Sequence, residues 1–374
     1  MITQSVWKDI IINMNRKIIE ILKMLMLAIV LILVFVAYKK SNSNSGGDYV
    51  YQTVYDFAMG TSMQVTIYGN KDKSFKPDDI VDKIKELDEK LISWRSEKSE
   101  LYKLNHEYKV GEPYYISYGL MKPLMDSAVL SVDSFGALDL TIRPLANLWN
   151  IEEATSENFT VPTDKQIKEA LKYVDYKAVD EVMYEHDNYV VFDKEGMMLD
   201  LGATGKGYAL DVAYEMLTEH NISGAMVSVG GSILIYGTKD SYKKEDNTWK
   251  VGIRDPKGSQ EDLIGYLEYP CEKGFSKYIS TSGSYEKYIE KDGVIYHHIF
   301  DSKTGYPASS GLASVTVVCD NGLKSDGLST ACFVLGYDKS KELLRHYNAE
   351  AVFIDEDNNV TVTDGLKDIY KDNK

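Results

Sequence analysis

The sequence has few cysteines and no excess of positive charge, and each shortage excludes a class of protein. Its 374 residues include three cysteines, Cys271, Cys319 and Cys332, too few and too widely spaced for a disulfide framework or a cysteine-ligated metal site. At most one disulfide bridge could form. With 42 basic against 57 acidic residues the net charge is −15. Nucleic acid is therefore not an expected partner, because a phosphate backbone requires a basic surface.

An uncharged apolar run near the N-terminus predicts a membrane segment. Residues 24–38 contain no charged side chain, and extension back to residue 18 gives a run of 21 residues, close to the length that spans a bilayer core. A cleaved signal peptide is the alternative, although residues 35–37 form a poor cleavage site. No cysteine lies directly after the run, which excludes a lipid-modified N-terminus. We favour an uncleaved anchor and expect four parts, namely a cytoplasmic N-terminus (1–17), a transmembrane anchor or signal segment (18–38), a tether (39–48) and an outer domain (49–374).

The charges beside this run predict its orientation. The basic residues are Lys8, Arg16, Lys17 and Lys23 on the N-terminal side and Lys39 and Lys40 on the C-terminal side. Because basic residues are retained on the cytoplasmic side, we expect a single-pass protein of the cell membrane with its large domain outside the cytoplasm. Met14, which precedes Asn-Arg-Lys, is an alternative start of the chain.

Helical and strand patterns interleave from residue 49 onward, without a long linker or a repeat. Alternation over residues 63–68 predicts a strand, and apolar spacing over 80–92 predicts an amphipathic helix. Residues 189–192 and 197–201 read as a hairpin. Further helices are expected at 164–174 (capped by Thr163 or Asp164), 206–220, 326–335 and 339–346, and further strands at 225–229, 232–236, 249–253, 293–299, 313–318 and 351–354. The interleaving lacks a strict βαβ rhythm, so we predict an α+β fold.

A glycine-rich segment at residues 200–211 carries the first candidate site. A strand leads into a Gly-rich turn, and a helix then begins with Lys206 in its first turn. Backbone N–H groups at such a helix start bind phosphate, and Lys206 adds a positive charge. The spacing is not that of a Walker A loop. An ordinary strand-to-helix turn is the alternative, and the pattern alone favours it.

Residues 296–307 contain a pair of adjacent histidines. His297 and His298 on one strand point to opposite faces and so cannot easily bind one metal ion together. One of the two is expected to be a hydrogen-bonded structural residue. Residues 301–307 have the composition of a turn.

Two further clusters have weaker patterns. Asp326 and Thr330 are four residues apart, which places both oxygens on one helix face, as a hard cation such as Mg²⁺ requires. A helix cap at Ser325 or Asp326 is the alternative, which the pattern alone favours. Residues 135–145 predict a turn, a short strand and an exposed Asp139, with nothing catalytic.

Taken together and in this order, these clusters resemble the FAD:protein FMN transferase family, the ApbE-type flavin transferases. The resemblance covers about residues 55–350. It rests on residues 59–61, 93–101, 136–145, 200–207, 228–231, 249–253, 281–283, 298–307 and 326–336.

The resemblance implies a single α+β domain of mixed or antiparallel sheets and a specific reaction. Such proteins bind FAD with Mg²⁺, cleave its pyrophosphate and move FMN onto a Thr or Ser hydroxyl of an acceptor protein, releasing AMP. By position, the Mg²⁺ ligands would be the carbonyls of Ala203 and Ser329, the Asp326 carboxylate and the Thr330 hydroxyl. FAD would lie against Met59, Trp94, Ala137, Leu138, Asp139, Asp200, Lys206 and Ile299. His298 is the candidate acid/base, and Asp326 the second catalytic residue.

The chain departs from the family pattern at three places. Residues 203–205 read Ala-Thr-Gly where Gly-Ile-Ala is commoner, which leaves the polar Thr204 beside the metal. Trp94 replaces a Tyr, and Lys303 stands where an Arg is usual. Two alternatives to transfer stay open, since water could attack FAD in place of a protein hydroxyl, and the protein could carry flavin without turnover.

Overall fold

The computed structural model describes residues 51–69, 74–239 and 248–373. The predicted cytoplasmic N-terminus, membrane segment and tether lie outside these residues. Within the described part of the chain, no helix combines the length and the apolar character that crossing a membrane requires. Residues from Tyr51 onward form one compact unit.

A large antiparallel sheet runs through the centre of this unit. Its strands follow the order β1-β2-β6-β7-β10-β13-β14-β15. They are β1 (Gln52–Ala58), β2 (Thr61–Tyr68), β6 (Gly224–Val229), β7 (Ser232–Gly237), β10 (Ser276–Gly283), β13 (Leu312–Cys319), β14 (Glu350–Asp355) and β15 (Val360–Val362). All neighbouring strands in this sheet pair antiparallel. The predicted α+β class is confirmed. Three neighbouring pairs, β1-β2, β6-β7 and β14-β15, are consecutive strands joined by short turns, and the other neighbours are joined by connections that pass through further elements.

Three smaller antiparallel sheets accompany the large one. Their orders are β3-β5-β4, β16-β9-β8 and β11-β12. The strands are β3 (Tyr114–Ile116), β4 (Val179–Tyr184), β5 (Asp187–Phe192), β8 (Thr248–Arg254), β9 (Leu263–Pro270), β11 (Tyr288–Lys291), β12 (Val294–His297) and β16 (Tyr370–Asp372).

Eight α-helices lie in the described residues. They are α1 (Pro77–Leu87), α2 (Glu100–Glu107), α3 (Tyr118–Asp133), α4 (Arg143–Trp149), α5 (Asp164–Ala170), α6 (Gly205–Glu219), α7 (Gly322–Leu335) and α8 (Tyr337–His346). The predicted helix at 80–92 is α1 continued by a π-helical turn, Asp88–Ile92. Thr163, one of the two predicted caps of α5, accepts a hydrogen bond from the Gln166 N–H.

The two faces of the large sheet pack against different layers. Along β14, Ala351 and Phe353 belong to the core beneath α6 and α7, whereas Val352 and Ile354 pack with Trp249 under the sheet of β8 and β9. This alternation follows from the two-residue period of a strand. Because both faces are covered, β13 is buried along its whole length.

The predicted hairpin at residues 189–201 is wrong. Its first half is β5, which pairs with β3 and β4. Residues 197–201 form no strand, because other segments hydrogen-bond to their backbone. The Leu199 N–H and carbonyl both bond to the Asn105 side chain, and the Asp200 N–H donates to the Leu140 carbonyl at 2.7 Å. Residues 197–201 therefore alternate like a strand, but their backbone groups bond to Asn105 and Leu140 and not to a neighbouring strand.

The predicted helix start at residue 326 is also corrected. Helix α7 begins at Gly322, and the Asn321 side chain caps it by accepting from the Lys324 N–H. Ser325 and Asp326 are therefore interior residues and not caps. Helix α7 is buried on most of its circumference, which explains why its start carries no amphipathic pattern.

Candidate functional site

A cavity of about 250 Å³ brings together residues from most of the chain. Its lining includes the predicted FAD residues Met59, Trp94, Ala137, Leu138, Asp139, Asp200, Lys206 and Ile299, the predicted base His298, and the predicted metal ligands Ala203 and Thr330. The remaining metal candidates, Asp326 and Ser329, are almost fully buried on α7 and contact the lining residues Lys206 and Ser282. The structure thus gathers every predicted site residue in or directly beside one cavity.

The glycine-rich segment enters the cavity at the start of α6. The Asp200 carboxylate accepts from the Gly202 N–H at 2.6 Å, which closes the turn before the helix. Lys206, in the first turn, donates to the Gly202 carbonyl at 3.1 Å and lies 3.4 Å from Asp326 Oδ1. A helix start and an ammonium group therefore face the same space, as an anionic ligand requires.

Asp326 is a buried carboxylate with well-defined donors. Its exposed fraction is 2%. Oδ2 accepts from the Gly207 N–H at 3.0 Å and Oδ1 accepts from the Ser232 hydroxyl at 3.1 Å. One turn later on the same helix, the Thr330 hydroxyl lies 3.0 Å from that of Ser282.

The donor chemistry at this position fits a hard cation. Over the described residues, no three His, Cys, Asp or Glu side chains converge as a metal-binding group. A cation here would depend on Asp326, the Thr330 hydroxyl and backbone carbonyls. Oxygen ligands of this kind suit Mg²⁺, whereas zinc sites usually include nitrogen or sulfur ligands.

The two histidines divide into a structural and a cavity residue, as the sequence predicts. His297 ends β12, is buried, and donates from Nε2 to the Ala308 carbonyl at 3.0 Å. His298 lines the cavity, and its Nδ1 donates to the Lys287 carbonyl at 3.1 Å. This bond leaves Nε2 as the nitrogen that accepts a proton. Burial lowers the pKa of His298 to about 4, so the ring is neutral at pH 7.

Asp139 corrects the prediction of an exposed residue on a short strand. It lies in a turn, is 8% exposed and lines the cavity. Its Oδ1 accepts from the N–H and the hydroxyl of Thr141, at 2.8 and 2.6 Å. Burial raises the pKa of Asp139, and the hydrogen bonds from Thr141 oppose that effect.

Six charged lining residues are absent from the predicted site, and three of these, Arg95, Glu152 and Lys287, contact one another. Glu152 accepts hydrogen bonds from Arg95 and from Lys287, the latter at 3.3 Å. Burial would raise the pKa of Glu152, but the nearby Lys287, Arg95 and Arg143 lower it overall. The position of Arg95 directly after Trp94 was a usable signal, whereas nothing in the pattern around Lys287 indicated a site.

Two guanidinium groups contact the Trp94 ring. The Cζ atoms of Arg143 and Arg95 lie 3.5 and 4.2 Å from the ring centroid. Arg143 is nearly buried and also donates to Asp200 Oδ2 at 3.1 Å. The cavity therefore combines an aromatic side chain with several cations, which suits a ligand that carries both a ring system and phosphate groups.

Comparison with known proteins gives a consistent result. The model of the ApbE family matches residues 59–353. A Treponema pallidum protein named FAD:protein FMN transferase is 35% identical over 289 residues, 75% of this chain and 77% of that protein. An Escherichia coli K12 protein of the same name is 29% identical over 290 residues, 77% of this chain and 79% of its own length.

Solved structures share the fold. The crystal structure of the ApbE protein from Thermotoga maritima has a TM-score of 0.73 and 31% identity, and covers 86% of this chain and 100% of its own. The flavin transferase ApbE from Vibrio cholerae has a TM-score of 0.72 and 25% identity, and covers 86% of this chain and 99% of its own.

Proposed function

This chain belongs to the ApbE family, and we propose that its cavity binds FAD and transfers FMN from it to a Thr or Ser hydroxyl of another protein, releasing AMP. One observation carries the proposal. Residues from eight of the nine segments that resemble this family in sequence meet around a single cavity, which offers an aromatic ring, several cations and a neutral histidine. The shared name of the curated relatives supports the same reaction.

The cationic side chains of the cavity would bind the pyrophosphate group of FAD. Cleaving it requires that the negative charge on the phosphate oxygens be neutralised. Lys206 at the start of α6 and Arg143 beside Trp94 are held by Gly202 and Asp200, so their charges are oriented before FAD binds. Arg95 and Lys287 share Glu152 and are available at the same cavity.

We further propose that Mg²⁺ completes the site. The Asp326 carboxylate, the Thr330 hydroxyl and the carbonyls of Ala203 and Ser329 would hold it. Bound there, Mg²⁺ would neutralise phosphate charge that the lysine and arginine side chains leave uncompensated. The burial of Asp326 and its bonds to Gly207 and Ser232 support this role, because a ligand held by several donors keeps its orientation.

His298 is suited to accept the proton of the attacking hydroxyl. The acceptor oxygen bonds to the phosphorus of the FMN moiety as the bond from that phosphorus to the bridging oxygen breaks. AMP leaves with the bonding electron pair, and the hydroxyl proton passes to Nε2 of His298. The Nδ1 bond to the Lys287 carbonyl keeps the ring in the required tautomer.

The N-terminal segment suggests where this reaction occurs. From the sequence we propose that residues 18–38 anchor the protein in the cell membrane and that the transferase domain acts on extracytoplasmic acceptors.

The test uses the full chain in detergent with FAD and Mg²⁺. AMP and FMN are followed by chromatography, and covalent flavin by fluorescence on a denaturing gel, with and without a candidate acceptor protein. We expect AMP release to depend on the acceptor, which becomes fluorescent. AMP and free FMN without an acceptor would make the protein a hydrolase. No AMP under either condition would overturn enzymatic activity and favour a flavin carrier.

A further inference from the structure

Helices α6 and α7 each carry a glycine followed four residues later by an aspartate. On α6 these are Gly207 and Asp211, and on α7 they are Gly322 and Asp326. In each helix the glycine lies in the first turn and the aspartate one turn further along. The two helices cross where these segments meet.

Each aspartate bonds to the start of the other helix. Asp326 Oδ2 accepts from the Gly207 N–H at 3.0 Å. In return, Asp211 Oδ1 accepts from the Gly322 N–H at 2.7 Å, and its Oδ2 accepts from the Leu323 N–H at 2.9 Å. The contact is therefore reciprocal, with a carboxylate from each helix satisfying first-turn N–H groups that would otherwise lack an intrahelical partner.

The glycines make this exchange possible because the backbones touch. A Cβ atom on Gly207 would lie 2.0 Å from the Gly322 carbonyl oxygen, and one on Gly322 would lie 2.2 Å from the Gly207 carbonyl oxygen. No side chain fits at either position. At this separation each aspartate reaches the amides of the neighbouring helix.

We propose that Asp211 is a positioning residue for Asp326. This inference rests on the proposed function, in which Asp326 is a metal ligand. Asp211 is 8% exposed and does not line the cavity. It therefore acts through helix α7 and not through contact with substrate. By holding Gly322 and Leu323 it fixes the start of α7 against α6, and the carboxylate of Asp326 lies one turn further along that helix.

The rest of α7 is anchored independently of Asp211. The hydroxyl of Ser280 lies 2.7 Å from that of Ser325, and the hydroxyl of Ser282 lies 2.8 Å from that of Ser329. These contacts attach the helix to β10. Loss of Asp211 should therefore release the start of α7 while the helix stays on the sheet. The domain then stays folded, and the Asp326 carboxylate loses the fixed contact between α6 and the turn that precedes it.

The experiment measures binding of Mn²⁺, as a substitute for Mg²⁺, by counting free Mn²⁺ with electron paramagnetic resonance on the full chain. Asp211→Asn keeps the size of the side chain but places an NH₂ group against a backbone N–H. We expect its Mn²⁺ affinity to fall by about 10- to 100-fold, the range typical of residues that orient a metal ligand. Asp326→Ala should remove the binding altogether.

Thr163→Ala is the matched control. Thr163 caps α5, which supplies no residue to the cavity lining. This variant should lower the melting temperature and leave Mn²⁺ affinity unchanged. If the far-ultraviolet circular dichroism signal shows that Asp211→Asn does not fold, Asp211→Glu is used instead. We expect Asp211→Glu to bind Mn²⁺ more weakly than wild type, because its added methylene pushes the start of α7 away.

The outcomes separate the two proposals. Unchanged affinity in a folded Asp211 variant, with binding lost in Asp326→Ala, overturns the positioning role alone. Unchanged affinity in Asp326→Ala overturns the metal site and the inference with it.

Discussion

At the scale of single residues, the ammonium group of Lys206 and the carboxylate of Asp326 lie 3.4 Å apart although a glycine-rich turn supplies one and a buried helix the other. Asp326 is the residue on which the proposed chemistry depends most. It bonds to Gly207 and Ser232, and its carboxylate is the one acidic donor of the proposed metal site.

Asp326→Asn should therefore abolish most turnover. The amide keeps the volume of the side chain but removes the negative charge that would hold a cation. We expect AMP release at saturating FAD to fall by about 100-fold or more, since electrostatic groups of this kind contribute at least that much. The melting temperature should change little. AMP release at the wild-type rate would exclude Asp326 from the reaction.

The lowered pKa of His298 predicts how the reaction rate depends on pH. Burial lowers the pKa of His298 to about 4. A base must be neutral to accept a proton, so kcat/KM should stay high as pH falls through 6.5 and decline only near pH 4. A decline centred near pH 6.5 would contradict this environment for the ring. His298→Gln should lower kcat by about 100-fold or more and flatten the profile in this region.

The lowered pKa of His298 also makes the free energy of unfolding depend on pH. The pKa of His298 is lower in the folded chain than the ordinary value near 6.5, so between pH 4 and 6.5 the unfolded chain binds more protons. The His298 contribution to stability should therefore be complete above pH 6.5 and decrease as pH falls toward 4. Urea unfolding of wild type and His298→Gln between pH 4 and 6.5 measures this contribution. If the free energy of unfolding depended on pH equally in the two proteins, His298 would not contribute to the pH dependence.

Trp94 is expected to contact the flavin or adenine ring. Trp94→Ala should weaken FAD binding by about 5- to 10-fold, corresponding to about 1 kcal/mol for an aromatic contact. Trp94→Tyr, which keeps an aromatic ring, is the control and should bind nearly as well. Isothermal titration with FAD measures both, and equal affinity of the alanine and tyrosine variants would show that the ring makes no such contact.

At the scale of elements, the crossing of α6 and α7 depends on glycine. Gly207→Ala places a Cβ 2.0 Å from a backbone oxygen of α7. We expect it to destabilise the domain by about 2 kcal/mol or more, since neither backbone can move easily. Gly119→Ala is the control, because Gly119 also lies in a first helical turn, in α3, where a Cβ meets its nearest neighbour at 3.5 Å.

Gly119→Ala should be neutral or stabilising by up to about 1 kcal/mol, because alanine favours helix. Urea denaturation compares the two variants. If Gly207→Ala were as stable as Gly119→Ala, the helices could separate without loss, and the close approach would not be needed for the fold.

At the scale of the whole molecule, the N-terminal 40 residues contain six basic and two acidic residues, whereas the remaining 334 contain 36 and 55. We expect the full chain to sediment with membranes and to resist alkaline carbonate extraction, while a variant that begins at residue 41 should be soluble. The mass of the protein recovered from the membrane and soluble fractions distinguishes the two interpretations of residues 18–38. A soluble protein whose mass lacks the N-terminal segment would indicate a cleaved signal.

Local sequence patterns were sufficient to predict the periodic elements and the order of the motifs. Alternation identified β2, and apolar spacing identified α1, because each pattern depends only on neighbours within a few residues. The glycines and polar residues of 200–207 and 326–330 could likewise be read as candidate sites, since the chemistry of a ligand limits which side chains can bind it.

The burial of individual residues and the ionic contacts between distant segments follow from the tertiary fold. Asp139 appeared exposed in the local pattern but lies in the cavity wall, and residues 197–201 alternate like a strand but bond to Asn105 and Leu140. Glu152 joins Arg95 to Lys287 although the three are distant in sequence. Such contacts depend on which segments the fold brings together, and a local pattern contains no information about segments that lie far along the chain.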